Sequence, residues 1–204
     1  VGSNDGTLLE HFQKYGIPVF GIDPSQSLAE IARQKGIPTI ADYFTPTVAK
    51  RLLGVLGRAK LITATNVLAH VDNLDEFFEA VRILLHDDGL FVVEFPSLLE
   101  LLKNTAYDTI YHEHLSYFSL HPLLRILRRS KFTLLHLEQH SVHGGSIRLF
   151  LRKHPTFLTH SSVRSYLSKE FRAGLMIKKP FEEFAANVAQ RKEKLLASIE
   201  RLKK

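Results

Sequence analysis

From Asp108 to Ser119 the chain reads Asp-Thr-Ile-Tyr-His-Glu-His-Leu-Ser-Tyr-Phe-Ser. Three titratable side chains, His112, Glu113 and His114, stand consecutively between Tyr111 and Tyr117. An imidazole with an ordinary pKa of about 6.5 suits proton transfer near neutrality. A carboxylate neighbour can orient such a ring, and a tyrosine hydroxyl can stabilise a developing oxyanion. A metal reading competes: His112 and His114 are two apart, and Glu113, His140 and His143 could complete a set. No HExxH-like spacing accompanies them, and closed ligand sets usually show clearer spacing. The expectation is acid–base chemistry with no metal ligand in this chain.

Three further constellations could serve a ligand. Gly2-Ser3-Asn4-Asp5-Gly6 precedes a helical pattern. Small residues let a backbone approach a ligand, and a helix start offers unpaired amides. A tight strand-to-helix turn needs glycine in any case. Gly21-Ile22-Asp23-Pro24-Ser25 closes the next strand. A carboxylate about 20 residues after a glycine turn can accept both ribose hydroxyls of an adenine nucleoside. Asp23 could instead cap the following helix. Asn66 and His70 follow an apolar strand, and ligands of open α/β sheets sit at the carboxyl ends of strands. Both therefore point toward the crevice of Asp23, although a capping or core role fits either alone.

The elements that would position these groups alternate. Strands are predicted at Val19–Ile22, Thr39–Ile40, Leu61–Ala64, Leu90–Glu94, Thr133–Leu137 and Ile147–Leu151. Helices are predicted at Thr7–Tyr15, Ser27–Lys35, Thr47–Leu56, Leu74–Leu85, Leu98–Lys103 and Leu120–Arg129. Asp5, Ser25 and Asn73 make plausible helix starts, and Gly16, Gly36 and Gly89 plausible helix ends. This is the pattern of an α/β fold, a doubly wound and mostly parallel sheet. His143-Gly144-Gly145 between the last two strands implies a turn, hence an antiparallel hairpin at one edge.

From Lys153 onward only helices are expected, with Pro180 at a first helical position and an apolar stripe of Phe181, Phe184, Val188, Leu195, Ile199 and Leu202. The expected division is residues 1–155 as the core and 156–204 as a helical extension leading to another domain. Val1 and Gly2 read as the turn after a strand that the sequence does not include.

Composition narrows the classes. The 204 residues include no cysteine, which removes disulfides and thiolate metal sites. There is no signal peptide and no apolar run able to span a bilayer, so a cytoplasmic protein without membrane partners is expected. The net charge of +6 is uneven, with 13 Lys or Arg against 5 Asp or Glu from residue 151 onward. These cations are spread around helices without aromatic residues for base stacking, so nucleic acid is not an expected partner.

Together these blocks resemble the sugar C-methyltransferases that act on nucleotide-linked 4-keto-deoxyhexoses. The likeness covers roughly residues 1–153. Its more specific parts are Tyr111-His112-Glu113-His114-Leu115-Ser116-Tyr117 and His143-Gly144-Gly145-Ser146. The resemblance implies a class I, Rossmann-like methyltransferase using S-adenosylmethionine. It implies that Gly2, Ser3 and Asn4 meet the methionine moiety, Asp23 the ribose and Asn66 the crevice floor, with Asp42 near the adenine. It further implies His114 as general base, with Tyr111, Glu113 and His70 binding or polarising a keto-sugar. Members usually carry a zinc-binding domain before this core and an α/β domain after it, and both are expected to contribute to the sugar-nucleotide site. An O- or N-methyltransferase would use the same cofactor residues. A nicotinamide oxidoreductase also pairs a glycine turn with a distal acid, but the GxGxxG spacing is missing.

Overall fold

A computed structural model describes residues 1–153 and 160–203. The order is α1 (Thr7–Gln13), β1 (Gly21–Asp23), α2 (Gln26–Gln34), β2 (Thr39–Ala41), α3 (Pro46–Leu56) and β3 (Ala59–Thr65). Then come α4 (Leu74–Leu84), β4 (Leu85–Pro96), α5 (Leu98–Asn104), α6 (Leu120–Arg129), β5 (Thr133–His140), β6 (Ser146–Arg152), α7 (Ser161–Arg172) and α8 (Lys179–Leu202). The expected boundary at residue 155 lies outside the described residues.

The sheet is built in two pieces. β1 and β2 form a parallel pair, while four strands follow the order β3-β4-β6-β5. β3 runs parallel to β4, and β6 runs antiparallel to both β4 and β5. The hairpin read from His143-Gly144-Gly145 is therefore present, with β6 inserted between β4 and β5. Val1–Ser3 ties the pieces together: the Val1 nitrogen donates to the Thr63 carbonyl at 2.8 Å, and the Ser3 amide to that of Ile22 at 3.1 Å.

Local chemistry explains most boundaries. Ser25 caps α2 by accepting from the Leu28 amide, and Asn73 caps α4 by accepting from those of Asp75 and Glu76. Gly6 is the cap residue of α1, and the Asp5 carboxylate accepts from the Thr7 amide beyond it. Gly89 departs from expectation. It lies buried inside β4 rather than at the end of a helix, because Leu85 already pairs with Ala59 in the sheet. A side chain at Gly89 would strike Leu85 Cδ1 at 2.8 Å.

One continuous core underlies the elements. Phe77, Phe78, Phe91 and Phe132 interlock with ring centroids 5.8–6.2 Å apart. α7 joins this core through Val163 and Tyr166. The Tyr166 hydroxyl meets Ser97 Oγ, and burial pushes its pKa up to about 12. α8 has no buried residue and is held to α5 through Arg191, which donates to the Asn104 and Thr105 carbonyls. Among the described residues no helix is long and apolar enough to cross a membrane.

Candidate active site

The carboxyl ends of β1, β3 and β4 gather most of the residues singled out above. Gly2 has φ +61°, and a Cβ there would lie 2.3 Å from Val67 Cγ2. The glycine turn is therefore pressed against the segment that follows β3. Asn4 also sits in the left-handed region, at φ 52°, which aims its amide at Asp23 Oδ2 (2.8 Å). Asp23 is 7% exposed and accepts from the Ser25 amide with Oδ1 at 2.9 Å. It thus braces the turn and helix α2 at once. Each carboxylate oxygen keeps a second lone pair for another donor. Lys35, 2.5 Å from Asp5, holds the Asp5 carboxyl down to about 2, with help from Thr7.

Asp42 directly follows β2, and its amide donates to the Asp23 carbonyl at 3.0 Å. Its carboxylate is taken by Arg51 at 2.9 Å and by the Tyr43 amide. Asn66 follows β3 with φ 56° and donates its amide to the Glu94 carbonyl at 2.8 Å. Two buried side-chain atoms here lack a hydrogen-bond partner among the described residues, Ser3 Oγ and Asn66 Oδ1. Buried polar atoms are rarely left unpaired. Two orphans at the same end of the sheet fit a polar small molecule such as an adenosyl amino acid.

The histidine loop meets this cleft through a short 3-10 turn, Leu68–His70. The Ala69 carbonyl accepts from the Leu115 amide at 2.8 Å and from that of Ser116 at 3.3 Å. That pairing brings the His70 and His114 rings to a centroid distance of 4.9 Å. His114 Nδ1 lies 2.8 Å from the Thr109 carbonyl, which can only accept, so Nδ1 carries the proton. Nε2 is then the open acceptor, 2.9 Å from the Tyr111 hydroxyl. Glu113 stands apart from this arrangement. Its side chain is 63% exposed and faces His112 at 3.9 Å.

The turn at the hairpin also docks nearby. The Gly145 carbonyl accepts from the Ser97 amide, and Asn104 donates to the Gly144 carbonyl at 3.0 Å. A side chain at Gly145 would strike Glu100 at 2.6 Å. His140 pairs with Glu138 at 3.2 Å. Among the described residues no cluster of three His, Cys, Asp or Glu could hold a metal ion.

Three contributors escape a reading by residue type. The Thr109 and Ala69 carbonyls orient and dock the loop, yet a backbone carbonyl has no sequence signature. Glu170, on α7, is 3% exposed and accepts from the Leu120 and His121 amides at 2.6 and 3.1 Å. It pins the helix into which the histidine loop runs. Burial pushes its pKa up, against those two amides.

Comparison with known proteins agrees with this geometry. Residues 1–137 match the family described as Methyltransferase domain, and residues 141–204 match the one described as C-methyltransferase C-terminal domain. C-methyltransferase NovU of Streptomyces niveus is 38% identical over 187 residues, covering 90% of this chain and 44% of NovU. The chain thus spans less than half the length of that curated relative. Among solved structures, a SAM-dependent methyltransferase from Anabaena variabilis aligns with a TM-score of 0.59 at 16% identity, over 76% of this chain and 75% of that one. The CcbJ methyltransferase of Streptomyces caelestis aligns at 0.58 and 14% identity, over 76% and 82%. These likenesses establish the class I methyltransferase fold, and the match over residues 1–137 places the chain in the methyltransferase-domain family.

Proposed function

We propose that this chain is the catalytic core of an S-adenosylmethionine-dependent C-methyltransferase acting beside the ketone of a nucleotide-linked 4-keto sugar. The observation that carries the reading is the state of His114. Its Nδ1 proton is committed to Thr109, so Nε2 is unprotonated and takes a proton once the Tyr111 hydroxyl turns from it to the substrate, at the end of the sheet that also holds Asp23 and Asn66. A hydrogen on the carbon next to a ketone is acidic because the resulting carbanion delocalises into an enolate. His114 Nε2 takes that proton from carbon 3 of the sugar, and the imidazolium formed keeps its hydrogen bond to Thr109. Tyr111 and His70 border the same ring and supply donors for the enolate oxygen.

Ser3, Asn66 and Asp23 hold the cofactor, Ser3 and Asn66 through their orphaned oxygens and Asp23 through its spare lone pairs. When bound, S-adenosylmethionine supplies an electrophilic methyl group to the nucleophilic carbon. The protein's part is alignment and the base. Glu113, exposed and facing His112, fits a sugar contact at the rim better than a proton relay to His114.

The test uses the intact protein with a 4-keto sugar nucleotide in deuterated water. Wild type exchanges the hydrogen at carbon 3 for deuterium, and methylates that carbon. His114→Ala loses both by about 10²–10⁴-fold while binding S-adenosylhomocysteine as before. Methylation of a hydroxyl or amine without exchange would instead identify an O- or N-methyltransferase.

A further inference from the structure

A second concave site lies at the opposite end of the sheet. Arg58 just before β3, Asp87 near the start of β4, Thr133 at the start of β5 and Lys153 just after β6 help line a cavity of about 860 Å³. With β3 spanning seven residues, this cavity is roughly 20 Å from the strand tips that hold Asn66. Four cations from three elements converge on it: Lys50 from α3, Arg82 from α4, and Arg128 and Lys131 from the end of α6 and the turn after it. None of the four makes a side-chain hydrogen bond or ion pair among the described residues.

Two more cations are fixed in place by the backbone. Arg58 donates to the Ile83 and Leu85 carbonyls at 2.9 and 3.2 Å. Lys153 is 8% exposed, donates to the Leu85 carbonyl, and is 3.3 Å from Asp87. Burial pulls its pKa down, so an anion arriving there stabilises the ammonium. Glu79 and Asp87 are the carboxylates lining the cavity, against six cations.

We propose that this cavity is a binding site for a multivalent oxyanion, a di- or triphosphate group. The volume is in the ordinary range for small-molecule sites. Guanidinium forks match phosphate oxygens in pairs, and lysines add point charges. Like charges held this close repel one another and concentrate the field in the concavity. Among the described lining residues the one aromatic is Phe132, and it is 5% exposed. Recognition therefore falls on phosphate rather than on a base. Nothing in this site overlaps the residues of the methyl-transfer cleft.

Calorimetric titration of the intact protein with inorganic tripolyphosphate at about 150 mM salt tests the proposal. One saturable site is expected, weakened about tenfold or more in the Arg128→Glu/Lys131→Glu variant and independently in Lys50→Glu. The Lys192→Glu/Lys194→Glu variant on α8 should bind like wild type, and saturating S-adenosylhomocysteine should not compete. A nucleoside triphosphate binding equally well, with the same loss in the variants, would support the phosphate-directed site and point to nucleotides as its source. Absence of binding, equal loss in the α8 variant, competition by S-adenosylhomocysteine, or binding only to vesicles bearing polyphosphoinositides would each overturn the proposal.

Discussion

The two ends of the sheet hold most of their charged groups differently. At the strand tips, polar side chains are tied to backbone: Asp23 to two amides, His114 to Thr109, Glu170 to the start of α6. Left-handed residues occur at both ends, Gly2, Asn4 and Asn66 at the tips and Lys131 at the far end, so backbone conformation does not separate them. At the far end Arg58 and Lys153 are also tied to backbone carbonyls, but Lys50, Arg82, Arg128 and Lys131 project from helices and a turn without partners among the described residues. The difference fits the role proposed for each end. Proton transfer needs a tautomer and a direction, which only fixed hydrogen bonds supply. Attraction of an anion needs convergent charge and tolerates loose side chains.

The sharpest way to break the comparison is at Gly2. Gly2→Ala forces a left-handed alanine and drives its Cβ into Val67, 2.3 Å away. The combined cost is roughly 2–4 kcal/mol. Urea denaturation reads the stability, and titration with S-adenosylhomocysteine reads a loss of affinity alongside it. A cost under about 0.5 kcal/mol would mean that Val67 moves aside easily and that the tips are no stiffer than an ordinary surface.

Glu170 sharpens the comparison through pH. Glu170→Ala leaves the Leu120 and His121 amides without their acceptor, at roughly 1–3 kcal/mol. Because burial raises its pKa, the folded protein holds this proton more tightly than the unfolded chain does. The stability this group contributes is full below its unfolded value of about 4.5 and declines as pH rises through the folded value. Glu170→Gln lacks that slope. Denaturation at several pH values between about 4 and 7 should show the Gln variant gaining on wild type as pH rises. A constant difference would remove burial as the dominant influence on this carboxylate.

How much of this the sequence displays depends on the range of each interaction. Leu120–Arg129 is predicted with both of its ends correct, because an amphipathic repeat is a local pattern. Ser25 and Asn73 are equally local, since a cap reaches only two or three residues. β4 begins five residues earlier than the apolar run suggests, because its start is set by pairing of Leu85 with Ala59 across the sheet. The 50-residue separation between Glu170 and Leu120 puts that contact beyond any motif. For the site, residue types marked His70, Tyr111 and His114 as chemically able. Their convergence rests on amide-to-carbonyl contacts at Ala69 that no side-chain pattern encodes. The basic cavity is the extreme case, since its cations are scattered from residue 50 to residue 153.

At that far end the smallest stability effect is expected, and its sign matters more than its size. Arg128 is exposed and unpaired among the described residues, so its side chain contributes little packing or hydrogen bonding to be lost. Its neighbours Arg82 and Lys131 repel it, and that repulsion is relieved when the charge is reversed. Arg128→Glu should therefore raise stability, by no more than about 0.5 kcal/mol. The gain should be present at about 50 mM salt and fade at about 500 mM, where exposed charges are screened. Urea denaturation at the two salt concentrations measures both. A loss of stability at low salt would mean that Arg128 is a structural partner in the folded state, and the contrast between a wired end and a charged end would fail at that residue.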